Sequence, residues 1–237
     1  EIHERLVGSE MCIRDSTYGV PMGLQYSITA IGSVILQVAV NSLGSLSVAA
    51  VTAASKVLNF LACPFDALAS TMATYGAQNV GASRYDRLNK GIYSASLMGF
   101  GYSLLAFGVA WFFGRSLTGL FVSGSSSAQL VELAQTYMIT NVFAYPLLTL
   151  VNVVRFMIQG MGFSMFAILA GVMEMAARSL AGMFLVPALG YFGAALGSPL
   201  AWVAADLFLV PAYFRCRRVL MSQSHHLHVM GESAESN

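Results

Sequence analysis

From residue 17 onward, long apolar runs alternate with short polar breaks. Six runs stand out, at 18–40, 46–75, 92–113, 131–158, 163–189 and 193–214. Each is close to or above the roughly 20 residues that carry an α-helix across a bilayer. The breaks are Asn41-Ser42-Leu43-Gly44-Ser45, 78–90, 114–129, Gly160-Met161-Gly162 and Gly190. Ser123-Gly124-Ser125-Ser126-Ser127 is the most loop-like stretch. All six prolines (Pro21, Pro64, Pro146, Pro187, Pro199, Pro211) fall inside or at the edge of the runs. Soluble helices seldom accept this, whereas membrane helices do when neighbours satisfy the freed carbonyls. The pattern predicts an all-α, polytopic membrane protein with six transmembrane helices.

Polar positions within the runs are not scattered. The first run places Gln25, Thr29, Ser33, Gln37 and Asn41 four residues apart, so they lie one above another on a slowly drifting stripe. The fourth run repeats the device with Asn141, Tyr145, Thr149, Asn152, Arg155 and Gln159. Such a stripe faces another helix or water, and small and polar residues commonly bond between membrane helices. Two long stripes in one small bundle favour a wet cavity.

Ionisable groups sharpen the picture. Lys56, Asp66, Arg155, Glu174, Arg178 and Asp206 all fall inside the runs. At a helix centre each costs about 2.5–3.5 kcal/mol on the insertion scale, so each is expected to pair or to line a cavity. Glu174 and Arg178 are four apart with the acid first, the favourable order for a helical ion pair. Lys56 has no local partner, because Asp66 is ten residues further on and beyond Pro64. Glu174, Arg178 and Asp206 are candidates for ion pairing or ion coupling.

Composition removes other classes of function. The chain of 237 residues is 57% hydrophobic and only 10% charged, with a mean hydropathy of +0.68. A soluble domain carries about a quarter charged residues. Twelve Lys/Arg against eleven Asp/Glu form no basic patch for nucleic acid. Cys12, Cys63 and Cys216 are isolated, and no histidine lies within the spans to activate a serine. His225-His226-Leu227-His228 sits in a polar tail, 219–237, without a nearby acid or Cys ligand. No catalytic site, metal site or cofactor is expected.

Lys/Arg placement orients the bundle. Arg84, Arg87 and Lys90 follow the second run, and Arg215, Arg217 and Arg218 follow the sixth. With six spans these places share one side, and the opposite side has little besides Arg115. The approach at Thr17, the Arg84 loop and the C-terminus are therefore expected to be cytoplasmic. Residues 1–16, EIHERLVGSEMCIRDS, differ from all that follows, and Leu6–Ser16 resembles the conceptual translation of a sequencing adapter. That segment is expected to lie outside the fold, with the six-span lobe covering 17–218 and its N-terminal side cut short.

Several segments resemble the C-terminal half of the multidrug and toxic compound extrusion (MATE) family. They are GVPMGLQYSITAIGSVILQ (19–37), NSLGSLSVAAVTAASK (41–56), ATYGAQNVGASRYDRLNKG (73–91), RFMIQGMG (155–162) and GSPLAWVAADLFLVPAY (197–213). The resemblance implies one six-helix lobe of a twelve-helix antiporter in the plasma or inner membrane of a bacterium. The missing N-terminal six-helix lobe would complete a central cavity that exports small amphipathic or cationic compounds by alternating access. Gln25, Thr29, Ser33, Gln37, Asn41, Lys56, Tyr145, Asn152 and Arg155 would line this lobe's side of it, within membrane lipid. Inward H⁺ or Na⁺ would drive export. Sodium-coupled members place carboxylates where this chain has Thr29 and a residue near Leu148, so proton coupling through an acid of the absent lobe is favoured. The alternatives are a lipid-linked oligosaccharide flippase of the same broad fold group, which needs a more cationic cavity, or a non-transporting membrane subunit or receptor.

Overall fold

The computed structural model describes the backbone of residues 2–121 and 128–235 and the side chains of 19–20, 23–121 and 128–222. The sequence expectations for residues 1–16, the serine-rich stretch 123–127 and the histidine tail concern side chains, or a loop, outside those limits. Among the described residues eight α-helices follow one another: α1 Ile2–Asn41, α2 Ser45–Gly81, α3 Asp86–Leu120, α4 Ala128–Phe143, α5 Tyr145–Gly160, α6 Ser164–Leu180, α7 Val186–Leu189 and α8 Tyr191–Glu235. A π-helical turn, Ala181–Leu185, joins α6 to α7. Five stretches are long and apolar enough to cross a membrane, and α4 with α5 makes a sixth that is bent by 47°. The described residues thus form six spans of a multi-pass membrane protein when the bent pair counts as one.

Glycine sets the breaks the sequence marked. Gly44, Gly162 and Gly190 take φ of 95°, 92° and 59°, a region closed to most side chains. The helices outrun the apolar pattern, however. The turn between α2 and α3 shrinks to 82–85, and α3 continues through Arg115 to Leu120. Hydrophobicity marks only the hydrocarbon-spanning part, and the backbone keeps its hydrogen bonds into the polar margin.

Proline accounts for the irregularities. The fourth run is not one helix: Pro146 near the start of α5 lacks an N–H, so the chain turns at Ala144. Pro187 stands just after the π-turn and likewise removes a donor from it. Pro64 lies inside α2, and the turn before it is held from outside. Tyr102 of α3 donates its hydroxyl to the Leu61 carbonyl at 3.0 Å, and Tyr145 of α5 donates to that of Leu58 at 3.0 Å. Both rings meet fully buried Phe65 edge-on, with centroids 5.2 Å away.

Packing follows small residues. Gly160 lets α5 lie against the backbone of α2 at Ala73, and a Cβ there would strike the Ala73 carbonyl. α1 packs chiefly on α6 and barely touches α2, although α2 follows it in the chain. α8 backs the bundle, packing on α6 and α5. Leu97, Leu104, Trp111 and Phe112 form an exposed apolar side of α3 that suits lipid.

The two basic clusters meet at one end. The Tyr213 hydroxyl of α8 bonds to the Asn89 side-chain oxygen of α3 at 2.7 Å, and Tyr75 donates to the Arg87 carbonyl. Arg87 and Lys90 are thereby brought beside the α8 segment that leads into Arg215, Arg217 and Arg218. Arg115 lies toward the far end of α3.

Candidate functional site

Because α1 leans on α6, a groove opens between α1 and α2, floored by α4, α5 and α8. It has two chambers, of about 370 and about 260 Å³. Ala62, Leu148, Arg178 and Trp202 border both, so the chambers are continuous parts of one groove.

Four polar stripes converge on it. In the larger chamber α1 contributes Ser33 and Gln37, α2 contributes Ser55 and Asn59, and Asn141 and Tyr145 come from either side of the Ala144 break. In the smaller chamber α1 contributes Gln25, Tyr26 and Thr29, α2 contributes Asp66, and α5 contributes Asn152 and Arg155. The Gln25 Oε1 and Thr29 Oγ1 atoms are buried without a hydrogen-bond partner. Buried acceptors of this kind call for water or a ligand's donor.

The charged centre lies on α5 and α6. Glu174 accepts from Arg155 and also from Arg178, the latter at 3.3 Å. All three are buried, at 2%, 5% and 6% exposure respectively. Two guanidinium groups thus share one carboxylate, and one positive charge remains on the triad. Asp66, exposed on α2, supplies a negative charge on the opposite wall of the smaller chamber.

Other candidates lie elsewhere. Lys56 is exposed outside both chambers, with its Nζ 5.8 Å from the centroid of the Phe121 ring. Asn41 is an exposed residue at the end of α1, where its side-chain oxygen accepts from Gln37 at 3.2 Å. Thr149 is buried and donates to the Tyr145 carbonyl, beside Ser103. Asp206 is buried on α8, one turn beyond Trp202. Among the described residues no group of three His, Cys, Asp or Glu could hold a metal ion.

Sequence reasoning passed over Tyr26, Ser55, Asn59, Ser198 and Trp202. A signal for most of them was present. Ser55, Asn59, Ala62 and Asp66 follow steps of four, three and four on α2, and Ser198, Trp202 and Asp206 follow steps of four on α8. Alanine and tryptophan disguise both stripes as apolar.

The sequence profile of the MatE family matches residues 21–178. Among solved structures, a MATE crystal structure in complex with MaL6 superposes with a TM-score of 0.77 at 16% identity, covering 86% of this chain and 46% of that one. MATE in the bent conformation gives a TM-score of 0.72 at 20% identity, covering 80% of this chain and 42% of that one. A MOP superfamily transporter from Pyrococcus furiosus, described as having a binding pocket of reverse polarity that suggests a different function, gives 0.69 at 21%, covering 80% and 42%. The chain spans less than half the length of these structures. No curated protein matches it.

Proposed function

The chain belongs to the MatE family, and from that premise we propose that it is one six-helix lobe of a secondary transporter exporting small amphipathic cations by alternating access. A second six-helix lobe completes the cavity, and inward H⁺ or Na⁺ drives the exchange. The basic end formed by Arg84, Arg87, Lys90 and Arg215 faces the cytoplasm, as the positive-inside bias requires. The protein performs no covalent chemistry.

One observation carries this reading: four polar helix faces, otherwise costly in lipid, are turned into a single groove along the α1–α2 side of the bundle. The smaller chamber suits an amphipathic cation. Asp66 offers a carboxylate, Tyr26 and Trp202 offer aromatic faces that attract cations, and Gln25 and Thr29 offer acceptors for an ammonium N–H. A lipid-linked pyrophosphate would need more positive charge. Here Arg155 and Arg178 are matched by Glu174 and Asp66.

The test is export of a cationic dye from proteoliposomes that contain the full-length transporter, under an imposed H⁺ or Na⁺ gradient. Movement under either gradient supports the proposal, and none under both rejects it. Asp66→Asn is expected to weaken dye binding about tenfold, equivalent to about 1.4 kcal/mol, as read by fluorescence titration. Unchanged affinity would remove Asp66 from the site.

A further inference from the structure

Four ionic side chains gather where α5, α6 and α8 meet, and one of them is left without a bond. Arg155 and Arg178 both hold Glu174. Asp206 is 8% exposed, and neither of its carboxylate oxygens has a hydrogen-bond partner. The charges that act on it are Arg155 from α5 and Glu174 from α6, with Arg178 one turn beyond Glu174. Among the described side chains, the other helices packed on α8 bring it no ionic group. The described side chains of α1 at 23–41 and residues 181–189 include none, and Glu132 of α4 is exposed.

An ionised carboxylate left bare in the interior costs several kcal/mol. Two arrangements avoid that cost. In one, the acid carries a proton while Arg155 stays on Glu174. In the other, Arg155 turns part of its guanidinium to Asp206. Arg155 has donors to spare, since a terminal nitrogen holds Glu174 while its Nε is unbonded.

We propose that Asp206 is the proton-exchanging residue of this lobe and that it acts on the groove through Arg155. The proposal rests on the transporter reading above and names the group that ties it to protons. A hydronium ion that reaches Asp206, which borders neither chamber, gives its proton to one Oδ, forming an O–H bond and leaving water. The Arg155–Asp206 contact breaks, and Arg155 is held by Glu174 alone. The four-residue cluster passes from neutral to one net positive charge beside the smaller chamber. A cation opposite Arg155 is then repelled and its binding falls about tenfold. Loss of the proton reverses each step, so proton and cation exclude one another, as exchange requires. Asp206 is a positioning residue and does not touch the substrate.

The experiment compares the wild-type full-length transporter with Asp206→Asn and Asp206→Glu in proteoliposomes. In the wild type, dye affinity is expected to fall about tenfold from alkaline to acid pH. Asp206→Asn should bind dye with no pH dependence and lose at least tenfold of proton-driven export, and Asp206→Glu should recover pH-dependent binding. Wild-type export and pH dependence in Asp206→Asn would overturn the proposal. So would a pH dependence that persists in Asp206→Asn and vanishes in Asp66→Asn. If Asp206→Asn fails to assemble, infrared difference spectra of the wild type between acid and alkaline pH decide. A buried protonated-carboxyl band, lost on alkalinisation and displaced in Asp206→Glu, supports the assignment, and no such displaced band overturns it. A wild type that moves no dye under any gradient counts against the transporter reading, and the infrared measurement still decides the role of Asp206.

Discussion

Glu174 is the carboxylate that two buried arginines share, and its replacement removes the partner each holds in this structure. Breaking a buried ion pair by removing one partner costs about 3–5 kcal/mol, because the remaining charge is uncompensated. Glu174→Gln is therefore expected to lower the unfolding temperature in detergent and to weaken export. Wild-type stability together with wild-type export would show that the triad has no role. Half of this arrangement was legible in the sequence. The step of four from Glu174 to Arg178 lies on one helix and can be read locally. The contact between Arg155 and Glu174 crosses the turn at Gly162 and depends on how α5 packs on α6. Lys56 illustrates the opposite case: a lysine in an apolar run invites a place in the cavity, whereas this one lies outside both chambers. The face of α2 it occupies points away from the groove and leads it to Phe121.

At the scale of elements, the joints between helices depend on backbone permissiveness, which composition reveals. Gly44, Gly162 and Gly190 were readable as breaks because few other residues accept their φ. The division of the fourth run at Ala144 went unread, although Pro146 was in view. A proline in a membrane helix can bend it or leave it continuous, and the neighbouring helices decide which. Helix contact makes a sharper prediction. Gly160→Ala would press a methyl against the Ala73 carbonyl, which cannot swing aside as a side chain could. It is expected to destabilise the lobe by about 1–3 kcal/mol. Gly101→Ala, on α3 with nothing within 4 Å of the added carbon, is expected to be neutral or to stabilise by up to about 1 kcal/mol through helix propensity. Thermal unfolding of the two variants side by side checks both, and equal effects would refute the packing argument.

For the whole molecule, the bond between Tyr213 and Asn89 fixes the basic ends of α3 and α8 together, in agreement with an even number of spans. The span count and the charge asymmetry were legible because bilayer thickness and Lys/Arg placement act on the chain as a linear string. The groove was only partly legible, since it exists because α1 chooses α6 over α2. If the groove holds water, a cysteine at Asn59 in the full-length transporter should react with a membrane-impermeant maleimide and be protected by bound dye. No reaction in any condition would mean the polar faces are sealed. The pairing of α1 with α6 also bears on how the protein is made. Residue 41 leaves the ribosome more than 120 residues before α6 begins. At about 5–20 residues per second, α1 must wait roughly 6–25 s for its partner. Through that interval α1 lacks the helix it packs on, so the insertion machinery must hold it in place until the second half of the lobe emerges.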